Sequence, residues 1–473
     1  MIRVLLLVAA LGCALAAQDH HYWTHQFGTR SGLRGGAVVG GCDDTSATYY
    51  NPGRVGFLRN DSVKVSADVY QLSVFSMPDG AGKGQNLSSV RGDIIPLAAS
   101  GVFLFNGAPG HAIGFHILAR QYFRARVSAR REASLNVIDD ARSPGAEDYI
   151  GSLDLTVGTE EYWAGLSYSW ALTQWLSVGV ANFGCLRFDD LDLRITSRAV
   201  NAVPDAFGAD NLTSVAFWNL RVVNKIGLAL DFGNLKFGFA VTTPGTHIAG
   251  GATVSRQLSV NDLDTDGNGT GESFEASARQ DNIPTRFRTP WSFSSGMDWR
   301  IDATTLAFSW EWFLPVGRYT AVRPESDAPF IRGGVSGGPR AEEFLTVYDG
   351  RRGVFNLALA VENRWHEDWA GIWSFRTDYG ADYVRNGGQF FLGVTSWDLF
   401  HFATGVAYTT RNDDHVPRHE FMVGLQWSLG AGKGDQPVNF DNPSEQNLLL
   451  GRNETKAISY FAIGLIVGYT YFF

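Results

Sequence analysis

The chain has 473 residues, of which 54 are Gly, 45% are hydrophobic and 13% aromatic. Only 18% are charged, against roughly 25% in soluble domains, and the formal net charge is −9. Such a chain is too aromatic and too weakly charged for intrinsic disorder, too poor in Gly for collagen and too acidic for a nucleic-acid partner; past its N-terminus it also lacks the long apolar runs of membrane helices, which leaves a large soluble β-protein or a transmembrane β-barrel.

Residues 1–17 read as a secretory signal: Arg3, an apolar core from Val4 to Ala10, then Ala14-Leu15-Ala16 as the small-x-small cleavage pattern. A buried N-terminal element and a lipoprotein signal ending at Cys13 are the alternatives. Cys42 and Cys185 then remain, either paired in an oxidising compartment or placed as two small buried residues. His20, His21 and His25 read as a flexible tail able to take up a metal adventitiously.

Residues 28–53 do not alternate. They hold Gly32, Gly35, Gly36, Asp43, Asp44 and Ala47, then Tyr49-Tyr50-Asn51-Pro52-Gly53. This is compact irregular structure ahead of a barrel, and residues 18–60 are expected to form a plug in its lumen.

From 61 to 473 the chain alternates with period two. Trp218, Leu220, Val222, Ile226, Leu228, Leu230 and Phe232 face away from Asn219, Arg221, Lys225, Gly227, Ala229 and Asp231. A turn at Gly233-Asn234 returns the chain through Leu235, Phe237, Phe239 and Val241. Strands of about nine or more residues fit a tilted membrane crossing. The pattern predicts an all-β transmembrane antiparallel barrel, its greasy face toward lipid and its charged and small residues toward the lumen. Trp170, Trp175, Trp312, Trp365 and Trp369 are expected in the interface girdles.

Candidate strands fall near 61–77, 94–106, 111–127, 158–171, 175–189, 216–232, 235–243, 289–301, 304–314, 354–363, 369–379, 389–396, 400–410, 419–430 and 457–473. Short turns are expected near 107–110, 172–174, 233–234, 302–303, 365–368 and 397–399. Long outer loops are expected at 137–150, 190–215, 244–288 and 315–353. Fifteen candidates conflict with the even strand numbers of single-chain bacterial barrels, and segment 431–456 falls on the short-turn side.

One loop carries metal-ligand spacing. Asp264, Asp266, Asn268, Thr270, Glu272 and Glu275 match a twelve-residue calcium loop, with Gly at the sixth position. Its flanks are extended rather than helical, so calcium would staple a loop, and no other cofactor is required. Gly334-Val335-Ser336-Gly337-Gly338 has the spelling of a nucleophile elbow but no strand-to-helix context. The Gly-Lys-Gly runs at 82–84 and 432–434 lack phosphate-loop spacing. No acid–base or nucleophile set stands out, and the chain reads as a non-enzyme.

The last strand alternates Phe461, Ile463, Leu465, Val467, Tyr469, Tyr471 and Phe473 with Ala462, Gly464, Ile466, Gly468, Thr470 and Phe472. A membrane helix using Gly464 and Gly468 as a small-residue face is the rival reading.

Together, the Gly-rich stretch, Asp43-Asp44 followed by Ala47, Asn51-Pro52 and the terminal aromatic strand resemble the long-chain fatty acid transporter (FadL-type) family of bacterial outer-membrane barrels. Gly53 stands where that family usually has Ala, a change that leaves the backbone freer. The resemblance implies about 14 strands, with 16 possible, and a surplus candidate around 431–473. It implies an N-terminal hatch with Gly35, Gly36, Asp43, Asp44, Asn51, Pro52 and Gly53 as gating residues. It implies a lateral exit at a kinked third strand, whose analogue here is Gly107, Pro109, Gly110 and Gly114. The implied function is passive uptake of hydrophobic small molecules such as long-chain fatty acids, with outer-membrane lipid around the barrel. The alternative keeps the barrel and uses loops 244–288 and 315–353 to shuttle or anchor a secreted protein.

Overall fold

The computed structural model describes residues 21–105, 107–201, 205–326, 329–333, 340–381, 397–413 and 416–473. Segment 1–17, His20, the run 334–338 and candidate strand 389–396 lie outside them. Among the described residues no helix is long and apolar enough to cross a membrane.

The strands in chain order are β1 (Ser62–Met77), β2 (Leu87–Leu104), β3 (His111–Leu135), β4 (Glu147–Ala171), β5 (Leu176–Val200), β6 (Ala206–Asp231), β7 (Leu235–Thr242), β8 (Thr246–Leu263), β9 (Glu272–Pro284) and β10 (Ser292–Ile301). They continue as β11 (Thr304–Phe313), β12 (Val316–Val322), β13 (Phe330–Gly333), β14 (Val347–Arg351), β15 (Val354–Arg364), β16 (Trp369–Asp378), β17 (Trp397–Arg411), β18 (Pro417–Asp435) and β19 (Thr455–Phe472). Among the described residues only β12 and β14 stand apart, as a two-stranded ribbon; the others form one antiparallel sheet that closes where β19 meets β1. Both β7 and β8 pair with β6, as two lengths of one wall strand. The couples β9/β10 and β11/β13 are interrupted strands of the same kind. The closed wall among the described residues therefore has 14 strands.

The parity conflict has one source. β16 pairs directly with β17 from Trp369 to Asp378, and the described wall closes at an even number. The surplus does not fall at 431–473, where β18 and β19 pair along their length. One surplus strand inverts every later connection. Residues 397–399 open β17 rather than making a turn. The connection 436–454 lies at the long-loop end: there Tyr149 Oη donates to the Leu449 carbonyl (2.8 Å) and Arg131 pairs with Asp441.

β4 shows why the loops at 190–215 and 244–288 are in fact mostly wall. Its odd-numbered residues face the lumen throughout. On the outward face, Asp148, Asp154 and Glu160 give way to Leu166, Tyr168 and Trp170; on the inward face, Leu153, Leu155 and Val157 give way to Glu161, Ser167 and Ser169. The polarity of the two faces exchanges near residue 160 without a change of register. About ten residues on one side of that point suffice to cross a bilayer. The rest of this 25-residue strand stands outside it, with the apolar interior of a soluble barrel. A polar outward face read along the sequence looks like loop. The girdle tryptophans are all exposed, with Trp170, Trp175, Trp365 and Trp369 at the short-turn end and Trp312 at the other.

Candidate functional site

Residues 21–58 fill the lumen. They comprise α1 (Thr29–Leu33), a chain of tight turns, α2 (Ala47–Tyr50) and a 3-10 turn (Pro52–Phe57). Gly35 and Gly36 have φ of 60° and 83°, which an L side chain rarely adopts. Far from being a tail, His21 and His25 are buried.

Charge pairs tie this hatch to the wall. Arg30 meets Glu362 and Glu420, and Arg34 meets Asp298. Asp43 lies between Arg54 (2.6 Å) and Lys236 (2.7 Å). Asp44 receives the Lys64 ammonium at 2.5 Å. Burial alone would raise the Asp44 carboxyl; Lys64 and the Ser46 hydroxyl and amide outweigh it and hold the group well below the usual carboxylate range. Cys42 and Cys185 are both free and buried, and burial pushes the Cys42 thiol up to about 12.

Asn51 is the polar staple. Its Nδ2 donates to the carbonyls of Val39 and Leu228, each at 3.0 Å, and its Oδ1 accepts the Gly53 amide at 3.1 Å. The staple reaches the wall because that wall is paved with glycine. Gly179, Gly227, Gly238 and Gly296 occupy inward positions on β5, β6, β7 and β10, with Gly179 opposite Gly227 and Gly238 opposite Gly296. A Cβ at Gly227 would strike the Asn51 side chain, and one at Gly238 the Val39 carbonyl oxygen. Gly53 belongs to the same contact. A Cβ there would lie 2.9 Å from the Gly227 carbonyl oxygen, so closeness rather than backbone freedom accounts for the residue.

Above the hatch is a small cavity of about 40 Å³. Tyr22 and Tyr49 of the hatch, Trp163, Phe287 and Phe313 supply rings, and Arg120, Lys225, Glu161 and Glu311 supply charge. Tyr22 stacks on Phe313 with ring centres 4.1 Å apart. Three guanidinium groups, of Arg187, Arg221 and Arg351, surround the Phe287 ring at 4.5–4.6 Å. Glu161 pairs with Arg187 (2.9 Å) and Arg221 (2.6 Å). Sequence reasoning missed this cluster. Its signal was there: Glu161, Arg187, Asp189, Arg221 and Lys225 are charges on the inward parity of long strands. Below the hatch, a vestibule of about 560 Å³ opens among Arg30, Arg34, Asp43, Arg54 and Asp298.

The wall is unpaired along much of the β2–β3 seam. β2 and β3 pair only over Ala98–Leu104 and Ala112–Leu118. Beyond that, β2 pairs with β1 alone and β3 with β4 alone. A bulge at Ala119–Gln121 turns β3 inward, and Arg120 and Gln121 line the cavity. His25 reaches the freed Tyr122 carbonyl at 3.3 Å, and Gln121 donates to the His21 carbonyl at 2.6 Å. Gly107, Pro109 and Gly110 form the hydrogen-bonded β2–β3 turn at the short-turn end. Gly114 sits lower than the opening, paired with Val102 and Ser167.

The metal-spaced residues come together only in part. Carboxylate oxygens of Asp264, Asp266 and Glu272 lie within 4.8 Å of one another. Asp264 already accepts the amides of Gly267, Asn268 and Gly269. The Asn268 side chain accepts the Thr270 amide, and Glu275 sits on β9 with Gln257 at 3.1 Å.

A 14-stranded wall, a lumenal hatch and an interrupted second seam define a hatch-plugged transmembrane barrel. Similar solved structures are a FadL homologue from Pseudomonas aeruginosa (13% identity, TM-score 0.56, 97% of this chain and 99% of that one) and the CymD monoaromatic hydrocarbon channel (11%, 0.52, 94% and 97%). The toluene transporter TodX of P. putida is similar too (12%, 0.52, 95% and 99%). The chain thus has the FadL-type fold, that of bacterial outer-membrane barrels. No family model and no curated protein matches the sequence.

Proposed function

We propose that the chain is a channel for passive uptake of hydrophobic small molecules, with long-chain fatty acids as the substrate class and the hatch as its gate. One observation carries this reading: the ring-walled cavity is bounded on one side by hatch residues Tyr22 and Tyr49 and on another by Arg120 and Gln121, where the wall is unpaired. The rings suit an apolar body, and Arg120 and Lys225 suit a carboxylate head. At about 40 Å³ the cavity has room for roughly three waters, so a ligand enters only when Tyr22 leaves Phe313. Two of the structural neighbours are named as a hydrocarbon channel and a toluene transporter, which supports an apolar cargo. The lateral exit belongs at the unpaired β2–β3 seam rather than at Gly107, Pro109, Gly110 and Gly114. The test is saturable binding of a fluorescent fatty acid, and its uptake by cells, with the full chain and with a chain lacking 18–53. Binding that needs the hatch is the expected result; no binding and no uptake by either form would remove the reading.

We also propose calcium as a staple for the β8–β9 loop, held by Asp264, Asp266 and Glu272. Supplying calcium is expected to raise the melting temperature over chelator, and Asp264→Asn/Asp266→Asn to abolish the difference. Glu275→Gln should leave it intact, because Glu275 is turned to Gln257. Equal melting of the parent in calcium and chelator would dispose of the staple.

A further inference from the structure

The wall has a second discontinuity, away from β2–β3. The β7–β10 ladder ends at Thr242 opposite Ser292, and the β8–β9 ladder begins at Gly251 opposite Pro284. Residues 243–250 and 285–291 do not pair across that seam, although Thr246, His247, Ala249 and Gly250 still pair with β6. The seam spans the height from Lys225 to Asn219 of β6, where outward Leu220 and Val222 mark the outer part of the lipid belt. Trp291 and Ile248 stand exposed beside it.

The seam is constructed rather than frayed. Lipid offers no partner to a bare backbone donor, so irregular backbone survives at membrane depth only against protein or a cavity. Pro244 and Pro290 have no donor to lose. Thr243 donates its amide to the Asn224 carbonyl (2.8 Å), Gly245 to the Thr289 hydroxyl (2.6 Å), Arg286 to the Ala321 carbonyl (2.8 Å) and Arg288 to the Tyr319 hydroxyl (3.0 Å). Strand β12 thus takes up two of the donors the ladder releases, and β6 and Thr289 take up the other two. On the lumen side, Thr242, Thr289, Pro290 and Ser292 line the same cavity that Arg120 and Gln121 line from the other seam.

We propose that this seam is a second lateral portal, through which neutral apolar molecules pass between the cavity and the outer leaflet. The proposal rests on the channel reading above, and its test separates the two. In a Cys42→Ser/Cys185→Ser background, Gly245→Cys/Thr289→Cys sets two thiols side by side, since a Cβ at 245 would lie 3.0 Å from the Thr289 hydroxyl oxygen, and Ser89→Cys/Arg126→Cys is the matching pair across the β2–β3 seam, where the Ser89 hydroxyl lies 3.3 Å from the Arg126 amide. The probe is 1-N-phenylnaphthylamine, followed in intact cells with oxidant and with reductant. Oxidising the 245/289 pair is expected to cause a partial loss of uptake that reductant restores, and oxidising both pairs together a complete loss. Thr242→Trp, which fills the seam without oxidation, should reproduce the partial loss. Full-rate uptake by the oxidised 245/289 protein and by Thr242→Trp would overturn the portal, and the channel reading then stands if the 89/126 seal alone blocks uptake. Uptake by the parent no faster than by cells lacking the protein would overturn both.

Discussion

A valine at Gly238 is expected to unseat the hatch while leaving the barrel folded. The Gly238 Cα sits beneath the Val39 carbonyl, and the Asn51 side-chain nitrogen is next to it. Three added carbons have nowhere to go, since the obstacle is hatch backbone rather than the end of a flexible side chain. Overpacking of this kind costs about 1–3 kcal/mol. Displacing Asn51 also gives up its bonds to Val39, Leu228 and Gly53, at about 1 kcal/mol each. The wall loses nothing comparable, because β-branched residues suit strands. The readout is the native Cys42 in a Cys185→Ser chain: its thiol is buried and pushed up to about 12, so maleimide should leave it untouched. In Gly238→Val, and likewise in Gly227→Val, labelling is expected to rise by about tenfold or more, the factor that about 1.4 kcal/mol represents. Gly184→Val is the control, facing outward with its nearest neighbour 3.7 Å from the added carbon. A Cys42 that stays protected in heat-modifiable, folded Gly238→Val would show that the glycine pavement does not seat the hatch.

The barrel was legible because its physics is periodic. Lipid-facing Leu228 and lumenal Ala229 differ in kind, and the difference repeats every second residue for the length of a crossing. Where the environment outside changes, the same register carries the opposite message. Leu153 and Leu166 are both apolar, yet one faces the lumen and the other lipid, and only the three-dimensional position of the bilayer tells them apart. That is why 190–215 and 244–288 read as loops. The interruptions were less legible still. The β3 bulge is one residue, Arg120, with no Gly or Pro to announce it, whereas the glycines at 107–114 announce only a turn. The hatch contacts are long-range: Asn51 with Leu228 and Arg34 with Asp298 are pairings that no local pattern encodes. Asn51 and Pro52 could be singled out as residues but not given a partner. The Gly excess could be divided into turns and lumen lining, but the alignment of Gly179, Gly227, Gly238 and Gly296 follows only from strand register.

Asp378→Ala is expected to release the first residues of the hatch without moving the rest. The Asp378 carboxylate accepts the Tyr22 amide (3.1 Å), the Trp23 amide (2.9 Å) and the Thr24 hydroxyl (2.9 Å), and it holds Asn356 at 3.3 Å. Two positions away, Arg376 donates to the carbonyls of Trp23 (3.0 Å) and Thr24 (2.8 Å). Acceptor and donor thus grip both sides of one short stretch of backbone. Removing the carboxylate strands those amides, at about 1–3 kcal/mol for each buried group. It also removes a negative charge that favours the buried Arg376 guanidinium. Release of residues 21–24 is the cheapest relief, since it lets water reach all of these groups. Tyr22 then leaves Phe313 and the cavity widens on its hatch side, while Asn51 still pins the far end of the hatch to β6. The two ends of the hatch should therefore separate in experiment. Asp378→Ala is expected to speed uptake of an apolar probe and to make residues 21–24 protease-sensitive, with Cys42 still protected. Asp378→Asn keeps an acceptor for the Tyr22 and Trp23 amides but not the charge, so its effect should be intermediate. If Asp378→Ala exposes Cys42 as fully as Gly238→Val does, the hatch moves as one rigid piece, and gating by its N-terminal end alone is refuted.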